Sequence, residues 1–200
     1  MPRPRIDPTA VRTKMLDATE GLIRIHGARK VTVSDVAAAC GMSQSNAYRF
    51  FASRQALLEA VAERWYEAIE DDLATIAVSN EPPAEQLVRF VARRYELKRS
   101  RHLEDPDLFQ ACLELGLADT GVGKRHLDRL RALVEGIVRR CGDQDLIGGR
   151  DPVKAAELVE AMTVRFRDPG LIVRHLEEDS VRRAAEAAGI VLAGLAHLQD

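Results

Sequence analysis

No stretch of the 200 residues stays apolar for the roughly 18–20 positions that a membrane-spanning helix needs, and none alternates β-branched with polar residues long enough to make a strand. The first absence argues against a membrane partner. The second leaves an all-α chain dominated by Ala, Leu, Glu and Arg. The opening MPRPRIDPTAVR lacks the apolar segment and small-residue cleavage site of a secretory signal, so the expected location is the cytoplasm. Cysteine is scarce: Cys40, Cys112 and Cys141 are odd in number, widely separated and in no CxxC pattern, which favours reduced structural thiols over disulfides or a thiolate zinc site. His102 with Glu104, or His126 with Cys112, lacks the spacing of metal ligands, so no metal is expected. Catalytic signatures are missing too. There is no HExxH and no GxGxxG, GMSQS lacks the second glycine of a nucleophile elbow, and LADTGVGKRH has Ala118 and Arg125 where a phosphate loop needs Gly and Ser or Thr. No catalytic residue and no cofactor follow from this sequence.

What is present is a 46% hydrophobic, 30% charged chain with enough residues to bury a core. Its net charge of −2 is unevenly spread. Residues 1–55 carry nine lysines and arginines against four acids, which leaves +5, while the other 145 residues carry 20 against 27, or −7. A basic head on an acidic body suggests that the head alone meets a polyanion.

Helix punctuation divides the chain. Asp7 and Pro8 open a first helix that stops at Gly27, with Val11, Met15, Ala18, Leu22 and Ile25 as its apolar stripe. Thr32 and Asp35 fit a capping box ahead of a short Ala-rich helix that Gly41 ends, and Ser43 caps the next. So tight a glycine turn implies a helix-turn-helix. A long helix from Ser53 to about Val78 carries Leu57, Val61, Trp65, Ile69, Leu73 and Ile76 inward. Further helices are expected at about 83–101, 106–117, 123–141, 152–166 and 178–198, with a short one at 170–176.

On a helix over 43–51, Gln44, Ser45, Tyr48 and Arg49 share a side, while Ala47 and Phe51 point the other way. Gln44, or Asn46 on the flank, can pair with adenine and Arg49 with guanine; Thr32 and Ser43 place hydroxyls beside free helix amides that attract phosphate, and Tyr48 and Arg54 can hold the backbone. The same face would also serve a helical protein-interaction module. The run GARKVTVSDVAAACGMSQSNAYRFFASRQALLEAV, residues 27–61, resembles the DNA-binding head of the TetR family of bacterial transcriptional regulators, through T-V-x-D-V-A-x-x-x-G-M-S followed by Y-x-F-F-x-S-R-x-x-L.

The resemblance implies a helix-turn-helix DNA-binding domain at 1–53 and a helical effector-binding and dimerisation domain at 54–200. It assigns Thr32, Ser43 and Tyr48 to phosphates, Gln44, Ser45, Asn46 and Arg49 to bases, and Arg54 to the DNA backbone where the family usually has lysine. Gln44 and Phe50 depart from the basic residue and the phosphate donor usual at those positions. The implied partners are a double-stranded palindromic operator, a small-molecule effector and a second copy of the chain, with repression the expected outcome. Effector-pocket candidates among the helices from 83 to 141 are Phe90, Arg94, Tyr95, His102, Phe109, Cys112, Leu113 and His126. The positive run ARRYELKRSRH, 92–102, suits an anionic effector and equally a solvated face. Dimer-interface candidates on the last helices are Val159, Met162, Phe166, Val181, Ala185, Ala188, Leu192 and Leu195.

Overall fold

The computed structural model describes residues 7–118 and 121–197, and these form ten α-helices and no strand. They group into two compact units, Met1–Trp65 with Asp105–Gly123, and Tyr66–Glu104 with Lys124–Asp200. The division falls inside a continuous helix.

In the first unit, α1 (Pro8–His26) starts where the Asp7 carboxylate accepts the Thr9 amide at 2.9 Å, and ends at Gly27, whose φ of 76° suits glycine. Its buried side is Met15, Leu16, Thr19 and Ile23; the expected stripe was displaced, and Ile25 is 73% exposed. Thr19 belongs inside because its hydroxyl donates to the Met15 carbonyl at 2.7 Å and so needs no water. α2 (Val33–Ala39) has the full capping box: the Thr32 hydroxyl accepts the Asp35 amide at 3.2 Å, and the Asp35 carboxylate accepts the Thr32 amide at 3.0 Å. Gly41 turns the chain at a φ of 68°, and the Ser43 hydroxyl accepts the Asn46 amide at 3.3 Å to open α3 (Gln44–Tyr48). That helix is shorter than expected. Its final amides bend onto Asn46 and Ala47, which carries Phe51 into the core.

α4 (Arg54–Ala77) follows, with Leu57 and Val61 buried in the first unit and Ile69, Leu73 and Ile76 in the second. α6 (Pro106–Leu117) also belongs to the first unit. Its cap, Asp105, accepts the Leu108 amide at 3.1 Å and Arg24 Nε at 2.5 Å, while the ring of Phe109 meets Trp65 edge-on at 5.8 Å. Arg64 binds α1 through Asp17 and Glu20.

The second unit holds the rest of α4, then α5 (Pro83–Glu104), α7 (Val122–Asp143, from Lys124 onward), α8 (Pro152–Met162), α9 (Pro169–Arg174) and α10 (Val181–His197). α8 stops at Met162 rather than running to 166: the Thr163 hydroxyl donates back to the Val159 carbonyl at 2.7 Å, and a 3₁₀ turn, Val164–Phe166, follows. Leu87, Phe90 and Val91 of α5, Leu130, Val134 and Ile137 of α7, and Ala184, Ala188, Leu192 and Leu195 of α10 are buried in its interior.

Candidate functional site

The α3 segment has two unlike sides because its two ends are held differently. Ala47 has no exposed surface and Phe51 is 2% exposed, so this edge is locked into the head. Gln44, Ser45, Tyr48 and Arg49 lie exposed on the other side, and Asn46 is half-buried at the flank. An amide, a hydroxyl, a phenol and a guanidinium thus project from a rigid support. That set can read base edges and hold phosphate oxygens.

The neighbouring groups are more occupied than their residue types suggest. The Thr32 hydroxyl donates to Asp35 at 2.7 Å, and that bond with the Thr32 amide holds the Asp35 carboxyl below its ordinary pKa. A carboxylate therefore already covers the amino end of α2. The Ser43 hydroxyl lies 3.3 Å from that of Ser45. Arg54 sends Nε to the Val31 carbonyl at 2.8 Å and Nη2 to the Ala28 carbonyl at 2.6 Å, bracing the turn before α2. Lys14 Nζ donates to the Cys40 carbonyl at the end of α2 at 3.0 Å. Arg54 and Lys14 are exposed even while making these bonds, as are Arg29, Lys30 and Arg49; Arg3 and Arg5 lie outside the described residues.

Arg54→Met is accordingly expected to lower the stability of the head by about 1–2 kcal/mol, the worth of charge-assisted bonds to backbone carbonyls, with little change in the salt dependence of DNA binding. Thermal unfolding and a salt titration separate the two effects. A slope that falls by about one with stability intact would instead mark Arg54 as a phosphate contact.

Arg12 was not anticipated from the sequence. Its guanidinium lies 4.4 Å from the centre of the Phe51 ring, and Nη1 reaches the Phe50 carbonyl at 3.4 Å. The chain at Phe50 thus acquires a cation from α1 beside the end of α3. The pairing joins positions 38 residues apart, which no local pattern reveals.

The effector-pocket candidates divide between the units. Phe109 and Cys112 are buried on α6 in the first unit, with Leu113 half-buried; Phe90, Arg94, Tyr95 and His126 are buried in the second, with His102 half-buried. In the second unit the polar groups converge. Arg94 is 3% exposed and its Nη1 donates to Glu160 at 2.8 Å, while Arg167 Nε lies 3.3 Å from the same carboxylate. Lys98, 4% exposed, donates to the Arg167 carbonyl at 2.7 Å. Burial first, and then the charges of Arg94 and Arg167, draw the Lys98 ammonium well below its ordinary pKa. His126 stacks on Tyr66 at 4.3 Å, and its Nδ1 is 2.8 Å from Glu70, which Arg129 Nη1 meets at 2.7 Å. Burial, followed by the charges of Lys98, Arg94, Arg129 and Arg101, pushes the His126 pKa down to about 3, so the ring is neutral at pH 7.

Lys98, Glu70, Glu160 and Arg167 were absent from the candidates. The available signal was phase: Leu87, Val91, Arg94 and Lys98 fall at spacings of three and four, which carries both cations onto the apolar face of α5. A separate groove of about 760 Å³ runs along α5 and α10, lined by Val88, Ala92, Ala185, Gly189 and Leu192 among others. It is a mainly apolar, open surface whose lining includes none of the convergent polar groups.

Of the interface candidates, Val159 and Ala188 have no exposed surface, and Phe166, Leu192 and Leu195 are also buried within the single chain. Ala185 is half-buried, and Met162 and Val181 are exposed. Outward-facing apolar side chains on the two helices are Val153, Leu158 and Met162 of α8 and Val181 and Ile190 of α10, with Met162 and Ile190 the most exposed at 66% and 73%.

Residues 83–188, just over half of the chain, match the family described as Tetracyclin repressor-like, C-terminal domain, and residues 15–61 match Bacterial regulatory proteins, tetR family. No curated protein matches the sequence. Among solved structures, SmeT, the repressor of the Stenotrophomonas maltophilia multidrug efflux pump SmeDEF, has a TM-score of 0.68 at 21% identity, with 94% of this chain and 92% of that one covered. A SmeT–triclosan complex gives 0.68 at 22%, covering 92% and 91%. The fatty acid degradation regulator FadR from Bacillus halodurans gives 0.65 at 15%, covering 94% and 99%. At these identities the likeness concerns the fold.

Proposed function

Since the chain belongs to the TetR family of bacterial regulators, we propose that it is a cytoplasmic, sequence-specific repressor that binds a palindromic operator as a homodimer and leaves it when a small effector occupies the second unit. The observation that carries this reading is the exposed face of Gln44, Ser45, Tyr48 and Arg49, set on a helix whose opposite edge is fixed by Ala47 and Phe51. Two such faces about 34–36 Å apart, or somewhat more, would read successive major grooves on one side of a duplex. Leu158, Met162 and Ile190 supply an outward apolar surface on α8 and α10 suited to the dimer contact. SmeT, a repressor that also forms a complex with triclosan, supports the pairing of repression with small-molecule binding.

Selection of bound sequences from a random duplex pool tests the core of the reading. A palindrome should emerge and bind a dimer in a salt-dependent way, whereas no enrichment over the starting pool would overturn sequence-specific regulation. Within an enriched site, Asn46→Ala should relax preference at one base position, a discrimination of about 1–3 kcal/mol. Tyr48→Phe should weaken every site alike. Uniform losses from both variants would mean that Asn46 reads no base.

A further inference from the structure

The interior of the second unit holds more buried basic groups than its own carboxylates meet. Glu160 accepts from Arg94 and lies against Arg167, while Lys98 has a carbonyl as its partner. Ionised groups removed from water are ordinarily paired, because an isolated buried charge costs several kcal/mol. The buried side-chain atoms without a hydrogen-bond partner in this unit include Arg94 Nε and His126 Nε2. In the tautomer whose Nδ1 donates to Glu70, Nε2 is left as a bare acceptor. Of all the charges acting on His126, that of Lys98 is the largest, ahead even of Arg129, which shares Glu70 with the ring. Arg94 and Lys98 stand one helical turn apart on α5 and are both buried, and His126 of α7 is buried in the same unit, where their charges act on its ring.

We propose that these three side chains form a binding site for a small organic hydroxy acid, whose carboxylate is taken by Lys98 and Arg94 and whose hydroxyl donates to His126 Nε2. The inference rests on the effector-controlled reading above and names the chemical class of the effector. Glu160 and Asp168 are the acids whose charges act on Lys98, fewer than the three cations Arg94, Lys98 and Arg167; a ligand carboxylate adds negative charge and can accept from Arg94 Nε as well as Lys98 Nζ. A hydroxyl supplies the donor that the imidazole lacks. A neutral ligand would leave the excess charge where it is.

The test measures thermal stabilisation and Kd for 4-hydroxybenzoate and 3-hydroxyoctanoate against their amides, on the full chain and on Lys98→Met, followed by release of the selected operator DNA. At least one of the acids should stabilise the protein, its amide should bind about tenfold more weakly or worse, and Lys98→Met should remove the difference between acid and amide. Lys98→Met should itself be folded, and without ligand no less stable than the parent, since it deletes a buried charge that lacks a carboxylate partner. Lys98→Arg keeps the charge and should retain part of the acid preference, which a purely structural role for Lys98 would not produce. Amides that bind as well as the acids, or an acid preference that survives Lys98→Met, would overturn the proposal while leaving effector control standing. The absence of stabilisation by both acids at millimolar concentration also overturns it. Acids that bind through Lys98 yet release no DNA would uphold the site and refute effector control.

Discussion

Glu160→Leu is expected to cost about 3–5 kcal/mol of stability, because it strips the carboxylate from Arg94 and leaves a guanidinium buried without its ion-pair partner. Burial here works against the charge: it holds Arg94 below its ordinary pKa, yet an arginine remains ionised at neutral pH. Denaturant unfolding followed by circular dichroism gives the number. Adding Arg94→Met to the same chain should recover most of the loss, since an apolar pair of similar volume avoids the desolvation that the ion pair must overcome. If the single variant loses less than about 1 kcal/mol, Glu160 does not neutralise the cluster and the charge argument for the interior fails.

Acidification should weaken the protein through His126. Its folded pKa is lowered, to about 3 against an ordinary value near 6.5, so protons bind the unfolded chain first. The stability it contributes is fully present above about pH 6.5 and is lost as pH falls toward 3, with about 2 kcal/mol gone by pH 5. Glu70 acts in the opposite sense, since burial raises its pKa and the folded state then takes up a proton more readily. His126→Phe retains a ring against Tyr66 and removes the first effect while keeping the second. Unfolding measured at pH 7 and pH 5 should show the parent losing stability and the variant holding or gaining it; equal pH dependence in both would show that His126 is not the group responsible.

The head was legible because its signals are local. Asp7, the Thr32–Asp35 box, Gly41 and Ser43 each act on amides within three residues or on their own φ, and all four stand where the sequence placed them. The phase of α1 was harder: Thr19 reads as polar until its bond to Met15 is known, and with its hydroxyl satisfied it lies on the buried side with Met15 and Ile23, which leaves Ile25 outside. Arg54, an exposed side chain, shows the same limit, since its bonds to the Val31 and Ala28 carbonyls span 23 and 26 residues and no local pattern reveals them. On α5, Arg94 and Lys98 follow the apolar period, yet composition alone made the run 92–102 look solvated as readily as functional. The apolar residues of α8 and α10 were legible as apolar. Which of them faces its own core was not: Val159 and Ala188 point inward while Met162 and Ile190 point out, and helical period fixes a stripe without naming its occupant.

The edge-on contact of Trp65 with Phe109 has an optical consequence. Trp65 is the sole tryptophan of the chain, and its indole sits where α4 meets α6. Its emission therefore reports the packing of these two helices without any label. A spectral change on adding DNA or a small acid would reveal that the ligand disturbs this one joint, and a constant spectrum would show that the joint keeps its geometry while the ligand binds.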